Sequence, residues 1–549
     1  MSYGELPIRY VRTFEAGGKS VRSDYYNPPP DAASYIIYKE GDLIKAKNGR
    51  TGQVEYKDND AATVMQNVIN NADPEGVKIY IKRGTYVISK TIHINKRFII
   101  EGEGSGGNPS FQDNVGMTVL KLADNADCNM FELDPASSPP AKTTHYQLPV
   151  FKHLHFDGNK DDQTSNVSAI VQNVGSAVDI MFFDCWFDRW KGSPVILRQY
   201  WNHWFSRCTF EHNDDYAIKL MPTSSADVFN LFVRGCYFAE TEGGIATENP
   251  QKSVKHIIVS ENVFTGMWQP AINIEYAYNV IISNNIIRAC SMEAIKIQGS
   301  YVIISNNRIT DVSAKSSGTY HAINLYKAST IADLYEVIIT GNQINGNNAK
   351  SCIGAEGSRV IDKLIITGNI FNTGSYCIYN DDDGQIRRAI ITGNVFYDGT
   401  RTHNGIRCGK TYPMLILNNQ FDKFDVAIAL SDVSYKVQIV NNMFEGSSNT
   451  PVSDPQTQPS QYRAIIKHNV GYVTENSGTA TFSGDGTTIT FTIPHGLVST
   501  PTTYYVEAAS ADAAGDKHVT ADSTNLVVTF SAAPPAGTDN VVLKWHAEV

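Results

Sequence analysis

One line of this chain keeps returning. It reads HIIVSENVF at 256–264, NVIISNNII at 279–287, EVIITGNQI at 336–344 and KLIITGNIF at 363–371. It comes back as RAIITGNVF at 388–396, PMLILNNQF at 413–421 and KVQIVNNMF at 436–444. Each copy is a β-branched run, then Asn, one further residue, and Ile or Phe. The marker asparagines are 262, 285, 307, 342, 369, 394, 419, 442 and 469, so most steps are 22 to 27 residues. The step of 35 from 307 to 342 reads as a loop insertion. A strand-built period of this length means a solenoid in which each repeat is one coil.

The repeat extends backward with one substitution. Cys185, Cys208 and Cys236 stand where later coils have Asn. These side chains are expected to stack coil on coil inside the solenoid, where small polarizable Cys packs well. Stacked Asn amides bond to the coils above and below. No CxxC pair exists, so the cysteines do not read as a metal set.

A second line repeats in every coil: AIKL at 217–220, GIAT at 244–247, AINI at 271–274, AIKI at 294–297 and AINL at 322–325. It alternates as a strand with one buried face does. Two or three such strands per coil, stacked in parallel, make a parallel β-helix. At this point the chain resembles the pectate-lyase-like superfamily of right-handed β-helices. Its handedness is what that resemblance and the general crossover rule imply.

Four segments follow. Residues 1–33, with the run Pro28-Pro29-Pro30, read as an arm or tether. Residues 34–57 alternate around turns and read as a small hairpin or meander. The β-helix spans 58–475. Asp60 is placed to cap a helix whose Ala61, Val64, Val68, Ile69 and Ala72 share one face. Such a helix covers the open end of the solenoid. Residues 476–549 alternate with period two between turns and read as a small β-sandwich. The fold class is all-β: a right-handed parallel β-helix with an N-terminal capping helix and a C-terminal sandwich.

The acidic start, helix, GTY strand and EGEG turn of 58–106 resemble the opening of phage tailspikes of this superfamily. The 478–549 layout is similar to C-terminal modules of tail spikes and fibres, which trimerise or bind surface glycans. The resemblance implies a homotrimer, virion attachment through the N-terminus, and a cell-surface or extracellular polysaccharide as partner and substrate. It implies a virion-surface or extracellular location. No signal peptide and no apolar run long enough to span a membrane are visible. Acids outnumber bases, 56 against 46, which argues against nucleic acid as a partner.

The chemistry concentrates in the early coils. Setting Ile218, Ile245, Ile272, Ile295 and Ile323 level sends Lys219, Ala246, Asn273, Lys296 and Asn324 outward. The next outward step is Met221, Glu248, Glu275, Gln298 and Tyr326. Glu248 and Glu275 should therefore be one strand spacing apart, about 4.8 Å. Asp215 and Glu242 form a second acidic rung, with Asp214 beside it. Paired carboxylates supply the acid and base of a glycosidase, and repulsion between two of them raises the pKa of one. Against this stands the reading of Glu248 and Glu275 as solvated surface acids. Lys219, Lys296, Asn273, Gln298 and Tyr326 are the substrate-binding candidates. Trp190 and Trp268, in loop-like contexts, are the sugar-stacking ones, with core filling as the alternative.

NDDYAIKL at 213–220 resembles the DD-containing segment of polygalacturonases, which implies catalytic roles for Asp214 and Asp215 and a basic one for Lys296. That family's GHG motif is missing here. The leading expectation is a glycoside hydrolase acting through paired carboxylates, with no cofactor. The first alternative is a lyase acting on uronic acids, with Lys219, Lys296 or Arg198 as base and a calcium ion held by Glu248 or Glu275. The others are a noncatalytic receptor-binding or structural spike and a free microbial polysaccharide enzyme. Asn380-Asp381-Asp382-Asp383-Gly384 looks like a calcium loop but lacks EF-hand alternation and reads as a solvated turn.

Overall fold

The computed structural model describes residues 33–549 except 73–75, 107–115, 135–148, 174–178, 199–201, 223–227, 249–253, 327–333, 358–359, 373, 382–384, 401, 432–433, 447–449 and 456–462. The arm 1–33, Trp201, and Asp382 to Gly384 thus lie outside the described residues, Ala33 excepted.

Three parallel sheets run the length of the solenoid. Sheet 1 starts at Val77–Ile81 and ends at Ile465–Lys467. Sheet 2 is 14-stranded, from Gly84–Ile88 to Met443–Glu445. Sheet 3 starts at Ile92–Ile94 and ends at Thr450–Ser453. Two strands, Ile272–Ser283 and Ile295–Ser305, pass from sheet 3 into sheet 1 without a break. In neighbouring coils the two sheets are served by separate strands, Tyr216–Leu220 in sheet 3 and Val228–Arg234 in sheet 1 for one of them.

The turn from sheet 1 to sheet 2 explains the repeated line. Asn284, Gly341, Gly368, Gly393, Asn418 and Asn441 all have φ between 54° and 66°. Gly and Asn tolerate this left-handed backbone best, hence the recurring GN and NN pairs. The following Asn turns inward. Asn285 Nδ2 donates to Val259 O at 2.9 Å and to Asn307 Oδ1, while its own Oδ1 accepts from the Asn262 N–H at 3.0 Å. The same pattern continues to Asn469. Cys208 and Cys236 extend the ladder, as expected, with the Cys208 N–H 3.4 Å from Cys236 Sγ.

Identical inward residues one strand apart stack ring on ring. Phe156, Phe187, Phe210, Phe238 and Phe264 have centroid spacings of 4.5–4.9 Å. Burying each such side chain stabilises the fold by about 1.5–3 kcal/mol relative to exposure. Trp190 also lies in this core, fully buried, with its Nε1–H bonded to Phe156 O at 3.0 Å. Its setting, DRWKGSP, reads as a loop, but the ring turns inward from it; Trp190 fills the core and is not a sugar platform.

At the N-terminal end, Asp60 caps the helix Ala61–Asn71 by accepting from the Ala62 and Thr63 N–H groups. Ala61, Val64, Val68, Ile69 and Ala72 are buried against the first coil. The meander is three antiparallel strands, Tyr35–Glu40, Leu43–Asn48 and Val54–Asp58. It is part of the solenoid, since its first strand pairs in parallel with Val77–Ile81. At the other end, two three-stranded antiparallel sheets enclose a separate core around Leu526, Val528, Val541 and Leu543. Among the described residues, no helix is long and apolar enough to cross a membrane.

Candidate functional site

The outer face of sheet 3 carries the polar cluster. The register is the one expected: Ile218 pairs with Ile245, Ile245 with Ile272, Ile272 with Ile295 and Ile295 with Ile323. Lys219, Asn273, Lys296 and Asn324 therefore share one outward column. Yet they are half-buried, and Asn324 is buried outright, so neighbouring side chains cover much of this column.

Cations interleave the acids on that face. Lys219 Nζ sits 2.5 Å from Asp215 Oδ2 and 2.6 Å from Glu248 Oε1. Burial alone would lower the Lys219 pKa, but the hydrogen bonds to Asp215 and Glu248 outweigh it and hold it above its ordinary value. Lys296 Nζ lies 3.3 Å from Glu275 Oε1 and 4.6 Å from the centre of the Tyr326 ring. Glu248 and Glu275 thus each face a lysine. Asp214 and Asp215 diverge, because Asp214 pairs with Lys160 at 2.7 Å, on the turn side. Glu242 lies on the stacked turn that enters sheet 3, its N–H bonded to Asn213 O. Trp268 is on the next level of that turn, 63% exposed, which suits a stacking platform. Arg198 lies upstream, with Nη1 3.3 Å from Asn173 Oδ1.

The deepest residues are ones the alignment did not select for chemistry or did not weigh fully. Glu293 is 5% exposed, and its Oε1 accepts from Asn324 Nδ2 at 3.1 Å while Oε2 has no partner. Asn324 Oδ1 and both polar atoms of Gln298, itself 1% exposed, also lack partners. Buried polar groups in proteins are almost always satisfied, so the orphaned Glu293 Oε2, beside Asn324, and the orphaned Gln298, in register with Glu275, make this face the candidate site. The signal for Glu293 was its offset: it stands two residues before the aligned Ile295, as Tyr216 stands before Ile218.

Further along, His321 bonds Ser351 Oγ at 2.7 Å and faces Glu356 Oε2 at 3.2 Å. Hydrogen bonding from His321 and the Lys350 ammonium beside it hold Glu356 down at about 2. A Cβ at Gly354 would lie 2.3 Å from the His321 ring, so glycine there is what admits the imidazole. At the first coils, His93, Glu132 and Asp134 present ligand atoms within 4.8 Å of one another. They already satisfy each other and Asn173, with His93 Nδ1 2.7 Å from Asp134 and Asn173 Nδ2 2.7 Å from Asp134 and 3.2 Å from Glu132.

A second row of acids, missed in the sequence, stands on sheet 2. Asp157, Asp188 and Glu211 pair in register on successive coils and are all buried. Arg189 neutralises Asp157 at 2.5 Å. Burial would raise Asp188, but hydrogen bonds to His155 and His212 hold it below its ordinary value. Burial pushes Glu211 up. Met117 and Val119 pack on Trp186 beside this row.

Residues 179–336 and 231–387 match the family described as Right handed beta helix region. No curated protein matches. Among solved structures, a tailspike protein variant of E. coli bacteriophage HK620, in complex with a pentasaccharide, aligns over 96% of this chain and 99% of that one. Its TM-score is 0.51 at 13% identity. The A-module of the Azotobacter vinelandii mannuronan C-5 epimerase AlgE6 aligns over 75% of this chain and 95% of that one, with TM-score 0.40 and 12% identity. PfbA, a surface adhesin of Streptococcus pneumoniae, covers 62% and 88%, with TM-score 0.45 and 12% identity. The chain is therefore a right-handed parallel β-helix protein. Over nearly its whole length it has the fold seen in the tailspike.

Proposed function

We propose that this protein binds and cleaves a polysaccharide laid along the sheet 3 groove, as a glycoside hydrolase. The observation that carries the reading is the set of buried, unpartnered polar atoms on Glu293, Gln298 and Asn324, beside the Glu275–Lys296 pair. Sugar hydroxyls donate and accept in the way these atoms require. The tailspike with this fold holds a pentasaccharide, which supports a glycan as the ligand.

Hydrolysis needs one carboxyl to protonate the glycosidic oxygen and a second to attack or to activate water. We assign the first role to Glu293, whose buried Oε2 has no partner within the chain and would meet a glycosidic oxygen once the side chain turns outward. Glu275, paired with Lys296, takes the second, with Glu248 and Asp215 holding Lys219 at the neighbouring subsite. Trp268 stacks on a sugar face at the groove entrance. Elimination is the weaker reading. It needs a lysine that gives up its proton, and Asp215 and Glu248 hold Lys219 in the opposite sense.

The protein would act on a virion surface or outside cells, where such polymers are. The test is a panel of neutral and acidic polysaccharides, read for reducing ends and for unsaturated-uronate absorbance together. Reducing ends without absorbance support hydrolysis. Absorbance moves the case to a lyase, and glycan binding with neither product moves it to a noncatalytic receptor protein.

A further inference from the structure

The unpartnered atoms on the outer face of sheet 3 are mostly of one kind. Asn324 Nδ2 is committed to Glu293 Oε1 at 3.1 Å, and its Oδ1 is left without a donor. Asn273, two coils earlier in the same outward column, likewise has an Oδ1 without a donor. Gln298 leaves both Oε1 and Nε2 unmet. Three amide oxygens thus lack a donor, against one amide nitrogen that lacks an acceptor. Glu293 Oε2 donates when protonated and accepts when ionised. The lysines of this face are in the opposite condition. Lys219 lies between Asp215 at 2.5 Å and Glu248 at 2.6 Å, and Lys296 faces Glu275 at 3.3 Å. Arg198 stands two coils before Glu248 and bonds Asn173.

We propose that the sugars held here carry no charge, so that the substrate is a neutral polysaccharide and not a polymer of acidic sugars. The inference rests on the reading of this face as the glycan site and narrows it to one substrate class. A carboxylate brings only acceptors. Set against Gln298 Nε2, it would leave the three amide oxygens facing its own lone pairs, and their desolvation would go unanswered. Its charge would also be repelled, because Asp215, Glu248 and Glu275 already occupy the lysines that could receive it. A hydroxyl donates and accepts at once, so a neutral sugar offers an O–H to each amide oxygen and a lone pair to Nε2. Asn273, Gln298 and Asn324 stand on three successive coils, which puts the outer two about 10 Å apart by strand spacing. Hydroxyls spread along a polymer match that span once the buried amides turn outward.

The test measures binding of the full chain to a panel of neutral hexose polysaccharides, each paired with the same polymer after oxidation of its primary hydroxyls to carboxylates. A neutral member is expected to bind, and its oxidised form to bind about tenfold or more weakly, the size of a buried acceptor left unmade. Raising sodium chloride from about 0.05 to about 0.5 M is expected to leave the neutral affinity within about twofold, since no ion pair forms with the ligand. Gln298→Leu removes the donor and one acceptor. It is expected to weaken neutral binding about tenfold without lowering the melting temperature, because the amide has no partner in the chain to lose. Preference for the oxidised forms, or no binding to any neutral member, would overturn the proposal. If the preferred acidic polymer is still weakened by Gln298→Leu, the face remains the glycan site and only the substrate class fails. Binding unmoved by Gln298→Leu would overturn the reading of the face itself.

Discussion

Replacing Asn342 by Ala removes one rung from the middle of the amide ladder. Its Nδ2 donates to Ile304 O at 2.9 Å and to Asn369 Oδ1 at 3.0 Å. Its Oδ1 accepts from the Asn307 N–H at 2.9 Å and from Asn307 Nδ2 at 3.0 Å. Four buried groups each lose a partner, and no water reaches them. A buried hydrogen bond contributes about 1 kcal/mol net, and an orphaned partner costs about 1–3 kcal/mol, so the loss should be about 3–5 kcal/mol. The Cys208 rung gives the comparison. Its thiol makes a long contact, 3.6 Å from Cys208 Sγ to Ser206 O. Cys208→Ala should cost about 1–2 kcal/mol, mostly from the small cavity. Denaturant unfolding followed by circular dichroism measures both, with unfolding rates compared if refolding fails. Hydrogen exchange at the Asn307 amide localises the effect. A cost for Asn342→Ala below about 1 kcal/mol, or equal to that of Cys208→Ala, would refute the idea that the amides and not the shape of the turn hold the coils together.

Other outcomes follow from the same contacts. Trp190→Ala should destabilise the protein by about 3–5 kcal/mol, whereas Trp268→Ala should change stability by no more than about 0.5 kcal/mol and weaken glycan binding instead; thermal unfolding and a binding titration separate the two. Asp398 is held at about 2 because hydrogen bonds from Thr400 and His403 outweigh burial. Its folded pKa lies below the ordinary carboxylate value, so its contribution is present above pH ~4 and is lost as pH falls toward about 2. Asp398→Asn should flatten the acid limb of the stability profile. Glu211 has the opposite sign: burial raises it, so ionising it costs stability as pH rises through its pKa, and Glu211→Gln should hold or raise stability at neutral pH while leaving cleavage unchanged.

The fold was legible because a solenoid writes itself many times. The Asn markers, the Gly or Asn before them and the Ile register each recur coil after coil, and translation along one axis turns sequence period directly into contact. The lysine pairings were half legible: alternation showed that Lys219, Glu248, Glu275 and Lys296 face outward, but not that the lysines intervene between the acids. Burial was the part that alternation cannot give. Trp190 turned inward from a segment with loop composition, because a solenoid corner can fold a large ring into the core. Glu293 and Gln298 are buried through neighbours on other coils, Asn324 beside the one and Glu275 in register with the other, which alternation along one strand does not reveal. The acids of sheet 2 escaped notice because their partners, Arg189 for Asp157 and His155 and His212 for Asp188, stand on neighbouring coils.

The central claim is that the sheet 3 groove is where a polysaccharide is cut. Its most direct test compares the parent with Glu293→Gln and Glu275→Gln on a polysaccharide the parent cleaves, measuring cleavage rate, binding of the same polymer and thermal stability for each. Cleavage is expected to fall by about 10²–10⁴-fold in Glu293→Gln while binding and folding persist, as removal of a positioned proton donor requires. Cleavage within a few-fold of the parent in both variants would contradict it and place the chemistry elsewhere on the molecule.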